Sequence, residues 1–222
     1  MRTFHVVGNL KMNMLSHEEA LQYIAVLKRE LKDHAYRHVK TTLCPPFLYL
    51  SDFSHLPKGI ECGAQDVFWE KSGAYTGEIS PLMLKNAGVT AVIIGHSERR
   101  AILGETNEIV KKKISATLKK LLIPIVCIGE TEEERHAEET DRILSLQVQS
   151  IFADLSKLQA EKIMIAYEPR WAIGTDQLPT SQEILQVRVL LRKILSEMFD
   201  AETADKISVL YGGSAKSSFL RA

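Results

Sequence analysis

The chain is short of the features that mark secreted, membrane-embedded or nucleic-acid-binding proteins. Its three cysteines, Cys44, Cys62 and Cys127, are odd in number and dispersed, with no CxxC pair. Such a set reads as reduced core thiols rather than a disulfide framework. Net charge is missing too: 28 Lys+Arg balance 28 Asp+Glu, so no overall basic field exists to hold nucleic acid or an acidic membrane. The longest apolar run, LLIPIVCIG, is far too short to cross a bilayer and contains Pro124. The opening MRTFHVVGNLKMN has one early arginine but no long apolar region of a secretory signal. No histidines cluster at zinc spacing, and GNLKMN after the first β-type run lacks the GxGxxG of a dinucleotide site. These absences predict a cytoplasmic protein with neither nucleic acid nor membrane as partner.

What is present is a core and a rhythm. Hydrophobic residues make up 45% of the 222, enough for one large α/β domain. Short β-type runs begin near Phe4, Val39, Gly59, Val89, Leu122, Lys162 and Lys206, several of them apolar without alternation, as strands covered on both faces are. Helical patterns lie between them. Ser16 with Glu19, Thr131 with Glu134 and Thr180 with Glu183 have the spacing of capping boxes. Leu21, Ile24, Leu27 and Leu31 mark one apolar face, and Ile184, Val187, Leu191, Ile194 and Met198 another. Strands alternating with helices and no linker between halves favour a single (β/α) barrel domain over 1–222, with a doubly wound sheet as the alternative.

In such a barrel the strand C-termini share one face, where the chemistry is built. Asn9 and Lys11, two apart on the first strand, lie on the same side, with Leu10 and Met12 on the other. The bland reading is an exposed strand end. His96 follows the fourth strand in AVIIGHSERR and opens a helix, whose positive end disfavours an imidazolium; a neutral ring there can donate a hydrogen bond to a carbonyl. A lone histidine is otherwise a satisfied or solvated residue. Glu168 ends the sixth strand before Pro169, an extended position for a general base. PRWAIGT after it is built like a lid, with Trp171, Ala172 and Ile173 as apolar cover beside Gly174 and Thr175. YGGS, Tyr211–Ser214, offers backbone N–H groups to an anion.

Taken together, GNLKMN, GAQDVF, SGAYTGEIS, VIIGHSERR, PIVCIGE, IAYEPRWAIGT and LYGGS resemble the triosephosphate isomerase family, in its order and along nearly the whole chain. The resemblance implies a (β/α)8 TIM barrel that interconverts dihydroxyacetone phosphate and D-glyceraldehyde 3-phosphate through an enediolate, in glycolysis and gluconeogenesis, with no metal or organic cofactor. It implies that Glu168 shuttles the proton, that His96 is the neutral electrophile of that family's known glutamate–histidine pairing, and that Lys11 stabilises developing enediolate charge. Glu98 is then a supporting carboxylate, Asn9 orients substrate, and Gly174 and Ser214 bind its phosphate through backbone N–H groups. The stretch from Gln65 to Ser80 corresponds to the family's dimerisation loop, with Thr76 reaching toward the partner's Asn9 and Lys11; a flexible surface loop is the alternative.

Arg170 stands where the family usually has a small aliphatic residue, and Asp176 where a glycine is usual. The family's eighth strand and glycine pair are expected beyond Ala222, so the sequence predicts a barrel truncated after the seventh strand. The alternative function is a weakly active or non-catalytic barrel fragment that retains some phosphate-ligand binding.

Overall fold

The apolar runs form parallel strands and the capped segments between them form helices throughout residues 3–31, 38–173, 175 and 177–213, which the computed structural model describes. The chain groups into two compact units, Met1–Ile94 with Ser115–Pro124, and Gly95–Ile114 with Ile125–Ala222.

In the first unit, β1 (Phe4–Asn9), β2 (Val39–Cys44), β3 (Ile60–Ala64) and β4 (Ala91–Ile94) pair in parallel and in chain order. The register runs from Phe4 beside Val39 to Asn9 beside Cys44. Every residue of β4 is buried, which is why that strand carries no polar alternation. Between β1 and β2 lies α1 (His17–Glu30), and α2 (Pro81–Asn86) precedes β4.

Two details of α1 differ from the sequence reading. The buried face is Ala20 and Ile24, while Leu21 is 54% exposed. One residue turns the helix by about 100°, so Ala20 takes the inward position and the larger side chain is left outside. Ser16 caps the Glu19 N–H as expected, but the Glu19 carboxylate accepts from Leu15 N–H, 2.8 Å away.

The second unit holds α3 (Ser97–Leu103) and α4 (Asn107–Lys119), the latter running on into the first unit. Next comes β5 (Ile123–Ile128), which starts in the first unit, where Ile123 N–H donates to Thr90 O. It is followed by α5 (Glu132–His136), α6 (Thr140–Phe152), α7 (Lys157–Ala160) and β6 (Met164–Tyr167). A single 3-10 turn, Arg170–Ala172, leads to α8 (Ser181–Met198), α9 (Ala201–Lys206) and β7 (Ser208–Tyr211). Strands β5, β6 and β7 pair in parallel, again in chain order. The capping boxes at Thr131 and Thr180 are both closed, and α8 buries Val187, Leu191 and Ile194.

Strand order decides the fold class. A doubly wound sheet reverses direction and leaves its first strand inside the sheet. In neither unit is there a reversal, so the seven strands follow the succession of a (β/α) barrel. No helix among the described residues is long and apolar enough to cross a membrane.

Candidate active site

Two side chains named from the sequence meet in the second unit. His96 and Glu168 are each 8% exposed, and His96 Nε2 lies 3.4 Å from Glu168 Oε1. His96 is the N-cap of α3: its Nδ1 accepts the Glu98 N–H at 3.3 Å. With Nδ1 turned to that N–H, Nε2 is the ring nitrogen that faces Glu168. Glu98 itself is half exposed, with Oε2 3.5 Å from Nδ1. Because Nδ1 already faces a backbone N–H, that approach is not a hydrogen bond.

The Glu168 carboxylate is held from three sides. Oε2 accepts Ser97 N–H, the first of α3, at 3.2 Å. Oε1 accepts from Cys127 Sγ at 3.3 Å and faces the imidazole. The Glu168 backbone N–H donates to Ile128 O at 2.7 Å, extending the β5–β6 ladder by one residue.

The scaffold beneath this pair contains groups that sequence reasoning passed over. Arg100, half-buried, donates from Nε to Gly95 O at 2.8 Å and from Nη2 to Cys127 O at 3.3 Å. Its Nη1 donates to Asn107 Oδ1 at 2.8 Å. Burial pulls its pKa below the ordinary arginine value, opposed by the nearby Cys127 and Glu105 and assisted by Arg170. Gln147 on α6 pairs with both backbone groups of Gly129, at 2.9 and 3.2 Å. Among the described residues, Gly129 and Gly212 are glycines whose missing side chains make room for Glu168. A Cβ on Gly129 would lie 1.8 Å from Glu168 O, and one on Gly212 2.7 Å from Glu168 Cγ. PIVCIGE and LYGGS contain these two glycines, but neither motif signals a contact with Glu168.

After Glu168, the Arg170–Ala172 turn is tied down by Glu130, which is buried. Glu130 Oε1 accepts from Tyr167 OH at 3.0 Å and from Trp171 Nε1 at 2.9 Å, and Glu130 O accepts Arg170 N–H at 3.1 Å. Burial, then the Glu130 charge and hydrogen bond, raise the Tyr167 phenol far above its ordinary pKa, so it remains a donor.

Asn9 and Lys11 belong to the first unit, where Asn9 Oδ1 accepts Lys11 N–H at 3.0 Å. Lys11 has a φ of 51°, left-handed for a residue with a long side chain. Gln65 Nε2 donates to Lys11 O at 2.8 Å and to Cys44 O at 2.9 Å. Gly174, Asp176 and Ser214 lie outside the described residues. The 65–80 segment is ordered by its own side chains: Phe68 packs on Trp69 and Tyr75 with ring centroids 4.0 and 4.8 Å apart, and Phe68 N–H donates to Ile79 O. Its tip, 70–78, is exposed.

Comparison with known proteins gives one answer. The model of the family described as triosephosphate isomerase matches residues 4–221. A triosephosphate isomerase of Dictyoglomus thermophilum is 50% identical over 181 residues, 81% of this chain and 73% of that protein. One from Clostridium botulinum is 42% identical over 224 residues, covering 100% and 89%. One from Roseiflexus is 44% identical over 218 residues, covering 97% and 85%.

Proposed function

The chain belongs to the triosephosphate isomerase family, an enzyme family, and from that premise we propose that it interconverts dihydroxyacetone phosphate and D-glyceraldehyde 3-phosphate, as a step of glycolysis and gluconeogenesis. The observation that carries this reading is the buried facing pair, His96 Nε2 and the Glu168 carboxylate, 3.4 Å apart.

The chemistry follows from what each group can do. A proton beside a carbonyl becomes removable when a base takes it and a donor meets the oxygen that gains charge. Glu168 takes the proton as the C–H electron pair moves into the C–C bond and the carbonyl pair moves onto oxygen. His96 Nε2–H stabilises that oxygen. The hydroxyl proton then passes from the oxygen of the first carbon to the oxygen that gained charge, the O–H pair becoming the new carbonyl bond. The C–C double-bond pair takes the proton back from Glu168 at the adjacent carbon, which completes the isomerisation with no net gain or loss of protons or electrons. For this the carboxylate leaves the Ser97 N–H and swings to the substrate, a motion that its unbranched side chain permits.

Lys11 is assigned the stabilisation of enediolate charge by its place in GNLKMN, with Asn9 orienting substrate and Glu98 as the supporting carboxylate. Gly174 and Ser214 are assigned phosphate contacts on the same basis. Because α4 and β5 each have residues in both units, we take 1–222 as a single domain. The three free, buried cysteines fit a reducing cytoplasm. Exposed apolar side chains in the first unit, Met12 at 89% and Leu15 at 81%, with the ordered 65–80 segment, support a homodimer. Retention of the reacting pair disfavours the reading of a non-catalytic ligand binder.

The decisive experiment is Glu168→Gln, which keeps the shape and removes the base. Turnover falls by about 10²–10⁴, and incorporation of solvent deuterium at the substrate carbon falls with it. Wild-type exchange in that variant would place the base elsewhere.

A further inference from the structure

Behind Glu168 is a cluster that neither the proton transfer nor phosphate binding uses. Arg135 Cζ sits 3.5 Å from the centre of the Trp171 ring, and its Nη2 donates to Glu183 Oε1 at 2.6 Å. We propose that Arg135 is a positioning residue for the isomerase reaction, a clamp on the face of Trp171 that holds the turn on which Glu168 is mounted. The proposal rests on the functional reading above.

The cluster is anchored at two helix starts. Arg135 lies in α5, whose entrance is fixed by the closed capping box of Thr131 and Glu134. Glu183 lies in the first turn of α8, and its Oε2 accepts from Thr180 N–H at 2.7 Å and from Thr180 Oγ1 at 2.9 Å. The backbone bond from Thr180 lowers the Glu183 pKa, burial opposes it, and the Thr180 hydroxyl and Arg135 charge add to the lowering, so the group stays below the ordinary carboxylate value. One carboxylate thus caps a helix with one oxygen and fixes a guanidinium with the other.

Trp171 is gripped in two directions. Its edge is held by the indole N–H to Glu130 and its face by the guanidinium. At 3.5 Å the guanidinium is well inside the roughly 6 Å range of cation–π attraction, and its planar group is able to stack on a ring as an ammonium is not. The turn beneath is short. Ala172 N–H donates to Pro169 O at 2.9 Å and Arg170 N–H donates to Glu130 O at 3.1 Å, and Pro169 is the residue directly after Glu168. Rotation of the indole therefore moves the backbone one step from the base. A base held in productive geometry tolerates only about 0.5 Å of looseness.

The test uses protein labelled with 5-fluorotryptophan, which reports both indoles, Trp69 serving as reference in the same spectrum; Trp171→Phe assigns the signals. For Arg135→Met, the Trp171 fluorine signal should shift and broaden while Trp69 stays in place. In the same variant kcat should fall about tenfold with KM changed less than twofold and Tm nearly kept. Arg135→Lys should recover little, because the charge returns without the plane, and Glu183→Gln should show a weaker change of the same sign. An unmoved Trp171 signal would overturn the clamp, as would a kcat loss that tracks lost folded protein alone. If the wild type does not isomerise triose phosphates, the functional reading fails; the clamp on Trp171 is then still decided by the fluorine spectrum.

Discussion

Gly212→Ala isolates the geometry of the base from its chemistry. The added methyl would stand 2.7 Å from Glu168 Cγ and 3.3 Å from Oε1. Carbon atoms rest at about 3.5–4.0 Å, so the side chain must retreat by about 0.8 Å or more. It has little slack. Its bond from Ser97 N–H is already 3.2 Å, and the thiol and imidazole lie at 3.3 and 3.4 Å; a shift of that size breaks at least one of them. The methyl also crowds Cγ, about which the carboxylate must swing to reach substrate, and a misplacement of about 1 Å in a reacting group costs about 10² in rate, equivalent to about 2.7 kcal/mol.

The fold, by contrast, should tolerate the change. Gly212 is not in the left-handed region, and its N–H to Tyr167 O at 2.7 Å survives substitution by alanine. The expected result is kcat/KM down about a hundredfold with Tm close to wild type, read by a coupled assay and thermal denaturation. Gly129→Ala supplies the contrast. Its methyl would meet the Glu168 backbone oxygen at 1.8 Å, which cannot move unless β5 and β6 part, so that variant should lose stability first. Near-normal turnover in Gly212→Ala would refute the idea that this glycine exists to seat the base.

Two further predictions concern the fold and its assembly. Glu105→Gln removes the carboxylate that lies 2.5 Å from Lys113 Nζ and 2.6 Å from Arg99 Nε. Lys113 is only 3% exposed, and taking one partner from a buried pair costs about 3–5 kcal/mol, measurable by urea denaturation. Burial pushes the Glu105 pKa up, but Lys113 and Arg99 overcome it and hold it below the ordinary value. Its stabilisation is therefore complete above about pH 4.3 and is lost as pH falls through the lower, folded-state value; the glutamine variant should lack that portion of the acid limb. For the dimer, sedimentation velocity at micromolar concentration should give twice the chain mass, and Tyr75→Glu should shift it toward the monomer; a monomeric wild type would sink the assignment.

The parts of the site that could be read from the sequence are those whose chemistry shows in the residue type. Glu168 and His96 are unusual letters at the ends of apolar runs, and a strand end is a place where geometry is already constrained. Capping boxes were readable because their partners are three residues apart, and Thr131 and Thr180 close as the spacing requires. Arg100, Gln147 and Arg135 were not readable. Arg100 ties Gly95 to Cys127, 27 residues further along than itself. Gln147 meets Gly129 across 18 residues, and Arg135 meets Glu183 across 48. A polar side chain on a helix looks solvated until the fold brings a carbonyl or a ring to it, and nothing in periodicity distinguishes the two cases.

Lys11 shows the opposite relation between local preference and structure. Left-handed backbone costs a residue with a Cβ about 1–2 kcal/mol, yet Lys11 has φ 51°, where glycine or asparagine would be the ordinary choice. Two residues oppose that strain. Asn9 takes the Lys11 N–H, and Gln65 donates to the Lys11 carbonyl while also binding Cys44 O. Three polar residues that read as independent letters in GNLKMN and GAQDVF are thus one device. Asn9 Oδ1 is spent on the lysine backbone, which leaves its Nδ2 as the group through which Asn9 would orient substrate. A strained lysine held by two amide side chains, each of which could otherwise have been a more permissive residue, is costly to maintain for packing alone. The cost makes sense if the ammonium must be aimed in a direction that an unstrained backbone would not give it, as stabilisation of an enediolate requires.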